Sequence, residues 1–358
     1  MWQDKVTRVK RLTQKVIDKA SPGRRAERAA FSALRKRFYT AYWENAAASI
    51  GADIEDMGNG FWQIRKGNAV TFVHNERVML DNPVILALVG DKALVYRLLA
   101  EDHCPVPRSQ VFTLDTINKA FEFQQKTAGA VVVKPMDSWA GQGVTVNIKT
   151  AETLQQAASF AAQFGEKLLV ENHIAGDSYR LLFLNGDFID AVRRDSPQIT
   201  GDGKSTIKQL VAAENASRVS GQEITALSAL RIDADCKRTL QESGFSLQSV
   251  LPENKTIRVK KVANHNSRYE NHSVTKQVHP EIIQLGSEIA SRYRIELAGL
   301  DIITTDISKP LAATSGVINE INTTPGLHHH ALISKPDEAA PVGGMVLDYI
   351  LRHYPIER

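Results

Sequence analysis

Cysteine is scarce in this sequence. Cys104 and Cys236 are the two cysteines among 358 residues, and they do not form a CxxC pair. From two separated cysteines we expect neither a disulfide framework nor a structural zinc site. This usage favours a reducing compartment, and we expect a cytoplasmic protein.

Long apolar runs are also missing. No segment approaches the roughly 18 apolar residues that a membrane helix needs, and the first residues are basic and amphipathic, unlike a secretory signal. The sequence is 43% hydrophobic and 23% charged, which excludes disordered and collagenous classes. At 358 residues, we expect a sizeable core and more than one lobe.

Positive charge is concentrated at one end of the chain. Residues 1–37 contain twelve Lys or Arg residues and three acidic residues, whereas the whole chain has a net charge of +4. This run is either the solvated face of amphipathic helices or a surface for an anionic partner. Because the remaining chain is close to neutral or slightly acidic, we do not expect nucleic-acid binding.

Apolar periodicity and turn signals predict alternating helices and strands. The predicted helices cover 3–20, 24–50, 83–100, 115–128, 150–164, 205–218, 223–230, 233–243, 280–294 and 341–353. The predicted strands cover 61–65, 69–74, 109–113, 130–134, 144–148, 167–171, 180–184, 188–192, 300–304 and 316–321. Asn185-Gly186 predicts a hairpin, so we expect an α+β or α/β enzyme with antiparallel pairs.

The first segment with chemical content is 131–144. Lys134 ends an apolar strand, and a loop containing Gly141 and Gly143 follows. Glycine allows backbone N–H groups to approach phosphate oxygens closely, and the lysine adds a fixed positive charge. The spacing matches neither a P-loop nor a dinucleotide-binding fingerprint. A tight hairpin without ligands remains the alternative for this segment.

The second segment, 168–180, is an apolar strand that ends at Glu171 and leads to Arg180. A carboxylate there can accept hydrogen bonds from ribose, backbone groups can contact adenine, and arginine can hold a phosphate or carboxylate in a bidentate contact. A surface turn is the alternative.

The third segment combines Asp301, inside an apolar run, with Glu320 and Asn322. The last two are spaced i, i+2 on a predicted strand, so they share one face. Two carboxylates and an amide oxygen are the hard ligands that magnesium prefers. The alternative is a buried salt-bridge network with Arg or Lys.

The order of these segments resembles the ATP-grasp superfamily, most closely the ligase domain of cyanophycin synthetase and of bifunctional glutathione synthetases. The resemblance covers about 57–330. The matching motifs lie at 60–65, 91–99, 105–107, 201–207 and 319–326, and the GDGKSTI segment at 201–207 is the most distinctive.

The resemblance implies ATP and Mg²⁺ as cofactors, with Mn²⁺ as a substitute. The implied ATP-binding residues are Lys92, Lys134, Ser138, Gly141, Gly143, Glu171, Ile174 and Asp177, of which Asp177 stands one place before the family's ribose carboxylate. The implied metal ligands are Asp301, Glu320 and Asn322. The implied catalytic residues near the acyl group are Arg180, Arg194 and Lys204.

The resemblance also implies a fold and an activity. The expected fold is two α+β lobes that grip ATP, within residues 86–358, with 131–192 as a mobile covering part. An N-terminal part of basic helices and a small α/β unit, 1–85, precedes them. The expected activity is amide formation between an acid, such as an amino acid, and an amine through an acyl phosphate, in a homo-oligomer.

Two alternatives stay open: addition of amino acids to a peptide or protein, and a small-molecule kinase of the same fold. A non-enzymatic nucleotide-binding scaffold is disfavoured because two lysines and three metal-ligand candidates are all present. The second domain of cyanophycin synthetase has no counterpart in these 358 residues, so we do not expect cyanophycin polymerisation by the same two-site cycle.

Two segments depart from the relatives. The substrate loop is replaced by 264–271, so we expect a different acid or amine. His328, His329 and His330 follow the proline-glycine pair at 325–326. Three consecutive imidazoles cannot all point one way on a strand, so we do not expect them to form a metal cage.

Overall fold

The computed structural model describes residues 22–136 and 141–357. The predicted helix over 3–20 and the loop residue Ser138 therefore lie outside the described residues. The helices are α1 (Pro22–Ser49), α2 (Pro83–Gly90), α3 (Lys92–Glu101), α4 (Asn118–Lys126), α5 (Ala151–Ala161), α6 (Ile207–Ser220), α7 (Ala234–Glu242), α8 (Pro280–Arg292), α9 (Leu311–Thr314), α10 (His328–Ala331) and α11 (Val342–His353). Short 3₁₀ turns cover Leu114–Thr116, Arg268–Glu270, Thr275–Gln277 and Pro336–Glu338.

Sixteen strands are present in the described ranges. They are β1 (Asp53–Gly58), β2 (Phe61–Lys66), β3 (Ala69–His74), β4 (Arg77–Val78), β5 (Ser109–Phe112), β6 (Val131–Pro135), β7 (Thr145–Ile148), β8 (Leu168–Asn172), β9 (Asp177–Leu184), β10 (Asp187–Arg194), β11 (Gln198–Thr200), β12 (Thr256–Arg258), β13 (Asn271–Ser273), β14 (Leu297–Thr304), β15 (Val317–Thr323) and β16 (Ile356–Glu357).

The strands form four antiparallel sheets. Their orders are β1-β2-β3-β16 with β4 beside β3, β13-β10-β9-β14-β15, β5-β8-β6-β7 and β11-β12. Neighbouring strands run antiparallel in every pair of the described residues. The architecture is therefore α+β rather than α/β, including the N-terminal part.

The N-terminal part and the C-terminal helix share one core. The apolar face of α1 buries Tyr39 and Trp43, which join Trp62 of β2 and Leu347 of α11 in one cluster. Strand β16 also completes the first sheet by pairing with β3. The expected domain division at residue 85 separates two parts of the sequence. These parts do not have separate cores, because residues from both ends of the described chain fill the same one.

The four-stranded sheet forms a separate lobe with its own core. Helices α4 and α5 cover it, and the core includes Phe112, Val133, Leu154 and Leu168. This lobe spans about 109–172. The expected covering part, 131–192, has different bounds from this lobe. Its last strands, β9 and β10, belong to the five-stranded sheet with β13 to β15. Whether the lobe moves stays a prediction.

Local sequence signals predicted most elements but misplaced some. Asn185 and Gly186 have φ values of 51° and 82°, as the predicted hairpin requires. The predicted helix over 83–100 is two helices, because the side chain of Asp91 caps α3 through the Leu94 N–H. The predicted helix over 223–230 is wrong: the side chain of Asn215 pairs with both backbone groups of Leu230 and replaces helical hydrogen bonds.

No helix in the described ranges has both the length and the hydropathy needed to cross a bilayer.

Candidate active site

A cleft of about 1470 Å³ lies between the four-stranded and five-stranded sheets. The predicted site residues that line it are Lys92, Lys134, Gly141, Glu171, Ile174, Asp177, Arg180, Arg194, Asp301, Glu320 and Asn322. These residues come from six strands, two loops and the start of helix α3, which are distant in sequence. The fold thus brings together eleven of the fourteen residues that the sequence analysis singled out.

The floor of the cleft is a row of charged residues across the five-stranded sheet. Arg180 of β9 lies directly opposite Asp301 of β14, and Asp301 lies opposite Glu320 of β15. Directly opposed residues of antiparallel strands share a face. Asn322 stands two places after Glu320 and therefore faces the same way. The register of three strands, rather than the spacing in any one of them, creates this row.

Asp301 is the centre of a buried ion cluster. The Nε atom of Arg180 donates a short hydrogen bond to its Oδ1, and Nη2 donates to Oδ2 at 2.9 Å. Arg194 adds an Nη1–Oδ2 contact of 3.6 Å. Burial alone would raise the pKa of Asp301, but the neighbouring Arg180, Arg194 and Lys92 lower it below its usual range. Asp301 is therefore a carboxylate at neutral pH.

Arg194 has an unused donor. Its Nη2 donates to the carbonyl oxygen of Ala263 at 2.9 Å, whereas its Nε is buried without a hydrogen-bond partner among the described residues. Burial lowers the pKa of this guanidinium, and the neighbouring Asp301 partly offsets that effect. Because a buried donor without a partner costs free energy, this atom indicates a site for an anionic ligand.

The opposite wall holds a second buried cluster. Lys134 of β6 contacts Glu171 of β8, with 2.7 Å between Nζ and Oε2, and donates to the Tyr96 hydroxyl at 3.1 Å. The Tyr96 hydroxyl in turn lies 2.6 Å from the Asn319 carbonyl oxygen. Burial, reinforced by Glu171, raises the pKa of Tyr96 well above its usual value, so the hydroxyl stays protonated and joins α3 to β15.

The candidate metal ligands fit magnesium by their chemistry. Lys92 Nζ lies 2.9 Å from Glu320 Oε1, and Asn322 Nδ2 donates to the Gly299 carbonyl oxygen at 3.3 Å. The amide oxygen of Asn322 and the second oxygen of Glu320 remain as ligands. A carboxylate also offers several lone pairs, so Asp301 can retain Arg180 and still bind a metal. In the described ranges, no group of three or more His, Cys, Asp or Glu residues forms a metal cage.

Lys204 does not lie with the other candidates. Its side chain is exposed, and Lys204 is absent from the described cleft lining. Asp202 Oδ1 accepts from the backbone N–H groups of Lys204 and Ser205, and Thr206 then caps α6 with Gln209. The distinctive motif at 201–207 therefore forms the turn that begins α6, outside the described cleft lining, and a catalytic role for Lys204 stays a prediction.

The two loop glycines differ in their roles. A Cβ on Gly143, at φ +74°, would lie 2.7 Å from Pro135 and from Phe164, so this residue packs against its own lobe and does not line the described cleft. A Cβ on Gly141, at φ +66°, would lie 2.6 Å from the Asn264 side chain. Gly141 thus holds the loop against the segment that departs from the relatives.

Sequence analysis missed Tyr96, which contacts Lys134 from behind the cleft wall, and three residues of the lining itself. Tyr96 follows Lys92 by four residues on α3 and was treated as part of a helix motif; its turn-spaced position beside the lysine was the available signal. Unlike Tyr96, the residues Arg35, Glu76 and Arg77 of the N-terminal part line the cleft. No local signal identifies them, because their proximity depends on the packing of α1 and β4.

Comparisons with known proteins agree with the motifs. No family model matches the sequence. Over 295 residues, the chain is 32% identical to a cyanophycin synthetase of Trichormus variabilis, and the match covers 80% of this chain and 32% of that protein. Over 316 residues, it is 26% identical to a bifunctional glutathione biosynthesis protein of Listeria welshimeri, with coverage of 86% and 40%. This chain thus spans about a third of the curated cyanophycin synthetases it matches.

The fold has a solved counterpart. A crystal structure of a bifunctional glutathione synthetase from Pasteurella multocida superposes with a TM-score of 0.56 at 20% sequence identity, over 90% of this chain and 45% of that one. At this identity, the similarity concerns the fold. The chain is therefore a relative of cyanophycin synthetases and bifunctional glutathione synthetases, and it has the predicted ATP-grasp fold.

Proposed function

We propose that this protein is an ADP-forming ligase that uses ATP to join a carboxylic acid to an amine. The charged row Arg180–Asp301–Glu320 across one sheet face, opposite the buried Lys134–Glu171 pair, is the observation that carries the proposal. It places cations and carboxylates on two walls of one cleft, as binding of a triphosphate with a divalent metal requires. The named activities of the relatives support the same class of reaction.

Two bond exchanges make up the proposed reaction. An oxygen of the acid attacks the γ-phosphorus of ATP, the bond to ADP breaks, and an acyl phosphate forms. The amine nitrogen then attacks the acyl carbon, phosphate leaves, and the nitrogen loses a proton. The protein contributes mainly position and fixed charge to the first exchange.

Each wall of the cleft has a separate role in this proposal. Lys92 and Lys134 neutralise the phosphates, and Glu171, Ile174 and Asp177 hold the nucleoside end. The unused Nε of Arg194 and the guanidinium of Arg180 hold the acyl group and stabilise the oxyanion that develops on it. Exclusion of water by the loop around Gly141 would protect the acyl phosphate from hydrolysis.

Magnesium fits the donor set of Asp301, Glu320 and Asn322, and Mn²⁺ is the expected substitute. When bound, the ion would neutralise charge on the ATP phosphates. Lys92, which contacts Glu320, then stands between the metal ligands and the phosphates. This arrangement connects the two groups of residues that the sequence placed more than 200 positions apart.

The direct test measures magnesium-dependent phosphate release from ATP with paired amino acids and amines. The expected result is release that needs one acid and one amine, with ADP and a product of amide mass. A stable phosphorylated acid without amide would instead identify a kinase. Release that requires a peptide or protein acceptor would identify the second alternative. Absence of release with every pair and acceptor, despite ATP binding, would contradict the proposal.

The side chains of the cleft lining indicate the chemical class of the acid and the amine. Asn264 and Asn266 line the cleft in the segment that departs from the relatives, and Arg35 and Arg77 line it from the N-terminal part. These side chains offer amide and cationic groups for a small polar substrate. We therefore expect an amino acid or a similar zwitterion among the substrates.

A further inference from the structure

The histidines at 328–330 have three different environments. His330 is buried, and its Nδ1 lies 2.6 Å from Asp190 Oδ2. His328 Nδ1 lies 3.1 Å from the hydroxyl oxygen of Tyr39. His329 lines the cleft, and among the described residues its ring nitrogens have no hydrogen-bond partner. The short helix α10 therefore places His330 in the core, His328 between α1 and the cleft, and His329 at the cleft.

This histidine turn lies beside the arginines of the floor. A Cβ on Gly299 would lie 2.7 Å from Pro325 and 3.1 Å from Arg180 Cδ. A Cβ on Gly326 would lie 2.7 Å from His328 Cε1 and 3.4 Å from His329 Cδ2. The two glycines thus let the 325–326 turn fit between Arg180 and the imidazoles, next to the proposed position of the acyl group.

His328 is a hydrogen-bond donor towards the cleft rather than a base. Tyr39 is fully buried, and burial, followed by Glu76, raises its pKa, so its hydroxyl keeps its proton. Among the described residues, His328 Nδ1 is the acceptor available to that proton. A neutral His328 then carries its own proton on Nε2, and its Nδ1 is occupied by the Tyr39 hydrogen bond, so neither nitrogen has a free lone pair.

The other candidate bases are engaged or distant. Five of the six carboxylates in the described cleft lining form ion pairs, and the sixth, Asp177, is exposed at the start of β9. His265 contacts Lys260 through Nδ1 at 3.5 Å, and His173 follows β8 at the proposed nucleoside end. His329 is the base without a partner beside Arg180 and Arg194 in the described residues.

We propose that His329 accepts the proton from the amine during amide formation, which rests on the ligase function proposed above. The amine nitrogen forms its bond to the acyl carbon, and the carbonyl electron pair moves to oxygen beside the arginines. The N–H proton passes to a ring nitrogen of His329. The carbonyl then re-forms, the bond to phosphate breaks, and His329 releases its proton to water or to the departing phosphate. His330, fixed by Asp190, acts as a positioning residue.

The surroundings of His329 determine its protonation state before the reaction. Burial lowers its pKa well below the usual value, and His328, Arg194, Arg180 and His330 act in the same direction. The imidazole is therefore neutral at pH 7, although burial and the arginines also make it a weaker base than an ordinary histidine. The negative acyl phosphate would offset the two arginines and make His329 more basic when the reaction needs it.

The test separates the two bond exchanges with hydroxylamine. This small nucleophile attacks acyl phosphates without help from a base and traps them as hydroxamates. We expect His329→Gln to lower amide formation by about 100-fold or more, the usual size of a general-base effect. Hydroxamate formation from ATP and the same acid should stay within about twofold of the wild type. His353→Gln, exposed at the end of α11, is the matched control and should change neither rate.

Each other outcome decides against the proposal. Amide formation by His329→Gln within about threefold of the wild type would overturn it, and so would an equal loss of amide and hydroxamate in a variant that melts like the wild type.

His329→Ala gives a second measurement, because added imidazole should restore amide formation only if a proton acceptor is missing. A wild-type protein that forms neither hydroxamate nor amide would overturn the ligase function itself, and the inference with it.

Discussion

At the residue scale, the buried pair of Lys134 and Glu171 combines a binding role with a stability cost. Both side chains are at most 8% exposed. Removing one partner leaves an uncompensated buried charge, which typically costs about 3–5 kcal/mol. We expect Lys134→Met to lower the free energy of unfolding by about 3 kcal/mol and to abolish ATP consumption. Urea unfolding and phosphate release measure these two effects.

The double variant Lys134→Met/Glu171→Gln separates the loss of stability from the loss of ATP consumption. It removes both charges, so stability should return to within about 1 kcal/mol of the wild type while activity stays lost. Lys126→Ala, exposed at the end of α4, is the control for loss of one lysine. A double variant as unstable as the single one would show that the pair itself does not explain the destabilisation.

Glu320 provides a test of the metal site. Glu320→Gln keeps the shape and a hydrogen-bond acceptor for Lys92 but removes one charged ligand. The metal concentration for half-maximal ATP consumption should rise at least about tenfold, the size of effect seen when metal ligands or their supports are changed. Mn²⁺ titration with a bound nucleotide gives an independent readout. Unchanged metal dependence in Glu320→Gln, with Glu338→Gln as the exposed control, would remove Glu320 from the ligand set.

At the element scale, the contact of α8 with the five-stranded sheet depends on a glycine. A Cβ on Gly286 would lie 2.1 Å from the Phe183 ring, whereas one on Gly90, at the end of α2, would meet nothing within 4 Å. Alanine favours a helix over glycine by about 1 kcal/mol, but overpacking costs about 1–3 kcal/mol. Gly286→Ala should therefore destabilise the protein, and Gly90→Ala should not. Thermal unfolding of the two variants measures this difference, and equal melting temperatures would contradict it.

The packing of α1 determines which deletion can test the role of the basic N-terminal run. A deletion of residues 1–40 would remove Phe31, Leu34, Phe38 and Tyr39 from the core around Trp43. Deletion of residues 1–21 leaves α1 intact. If the basic run docks an anionic macromolecule, this shorter deletion should reduce activity on that partner and spare activity on free amino acids. Parallel assays of both substrates measure the ratio, and an equal loss on both would contradict a docking role.

At the scale of the whole molecule, the shared core predicts that both chain ends unfold together. Leu347 of α11 is fully buried beside Trp43 and Trp62, whereas Met345 on the same helix is 38% exposed. Leu347→Ala should cost about 2–5 kcal/mol, and Met345→Ala should cost little. Tryptophan fluorescence and far-ultraviolet circular dichroism should report one transition in each protein. Separate transitions would show that the N-terminal part is independent.

Buried histidines predict how stability depends on pH. Burial, followed by Lys260, lowers the pKa of His265 to about 3, and burial, followed by Arg35, lowers that of His328 to about 3. An unfolded histidine has a pKa near 6.5. Between these values the unfolded chain binds protons that the folded chain does not, so stability falls as the pH falls. Each group should cost about 1 kcal/mol between pH 7.5 and 5.5.

The variant His265→Asn tests this dependence. Asparagine tolerates the φ of 57° at this position and cannot titrate there, so the loss of stability towards pH 5.5 should shrink by about 1 kcal/mol. Urea unfolding at the two pH values measures the difference. His103→Asn is the exposed control at a similar φ of 60°. An unchanged pH dependence in His265→Asn would exclude this histidine as a source.

Sequence patterns predicted the elements with strong local signals. Alternation and the Asn185-Gly186 turn predicted β9 and β10, and apolar periodicity predicted α8 and α11. Polar strand β1 and the short strands β11 and β12 carry no such signal, because their pairing depends on tertiary neighbours. The segment 223–230 has helical composition, but Asn215 and Arg218 bind its backbone from α6. Side chains distant in the sequence therefore override the local preference.

The sequence by itself determined the types of chemistry this protein carries. The spacing of Glu320 and Asn322, the position of Lys134 at a strand end and the order of the motifs are local properties of the chain, so they could be recognised without a structure. Only the tertiary structure decided which residues meet. The register of β9, β14 and β15 aligned Arg180, Asp301 and Glu320, while Lys204 became part of a turn. Packing of α10 against α1 and β10 gave three adjacent histidines three different environments, because each depends on contacts between distant parts of the chain.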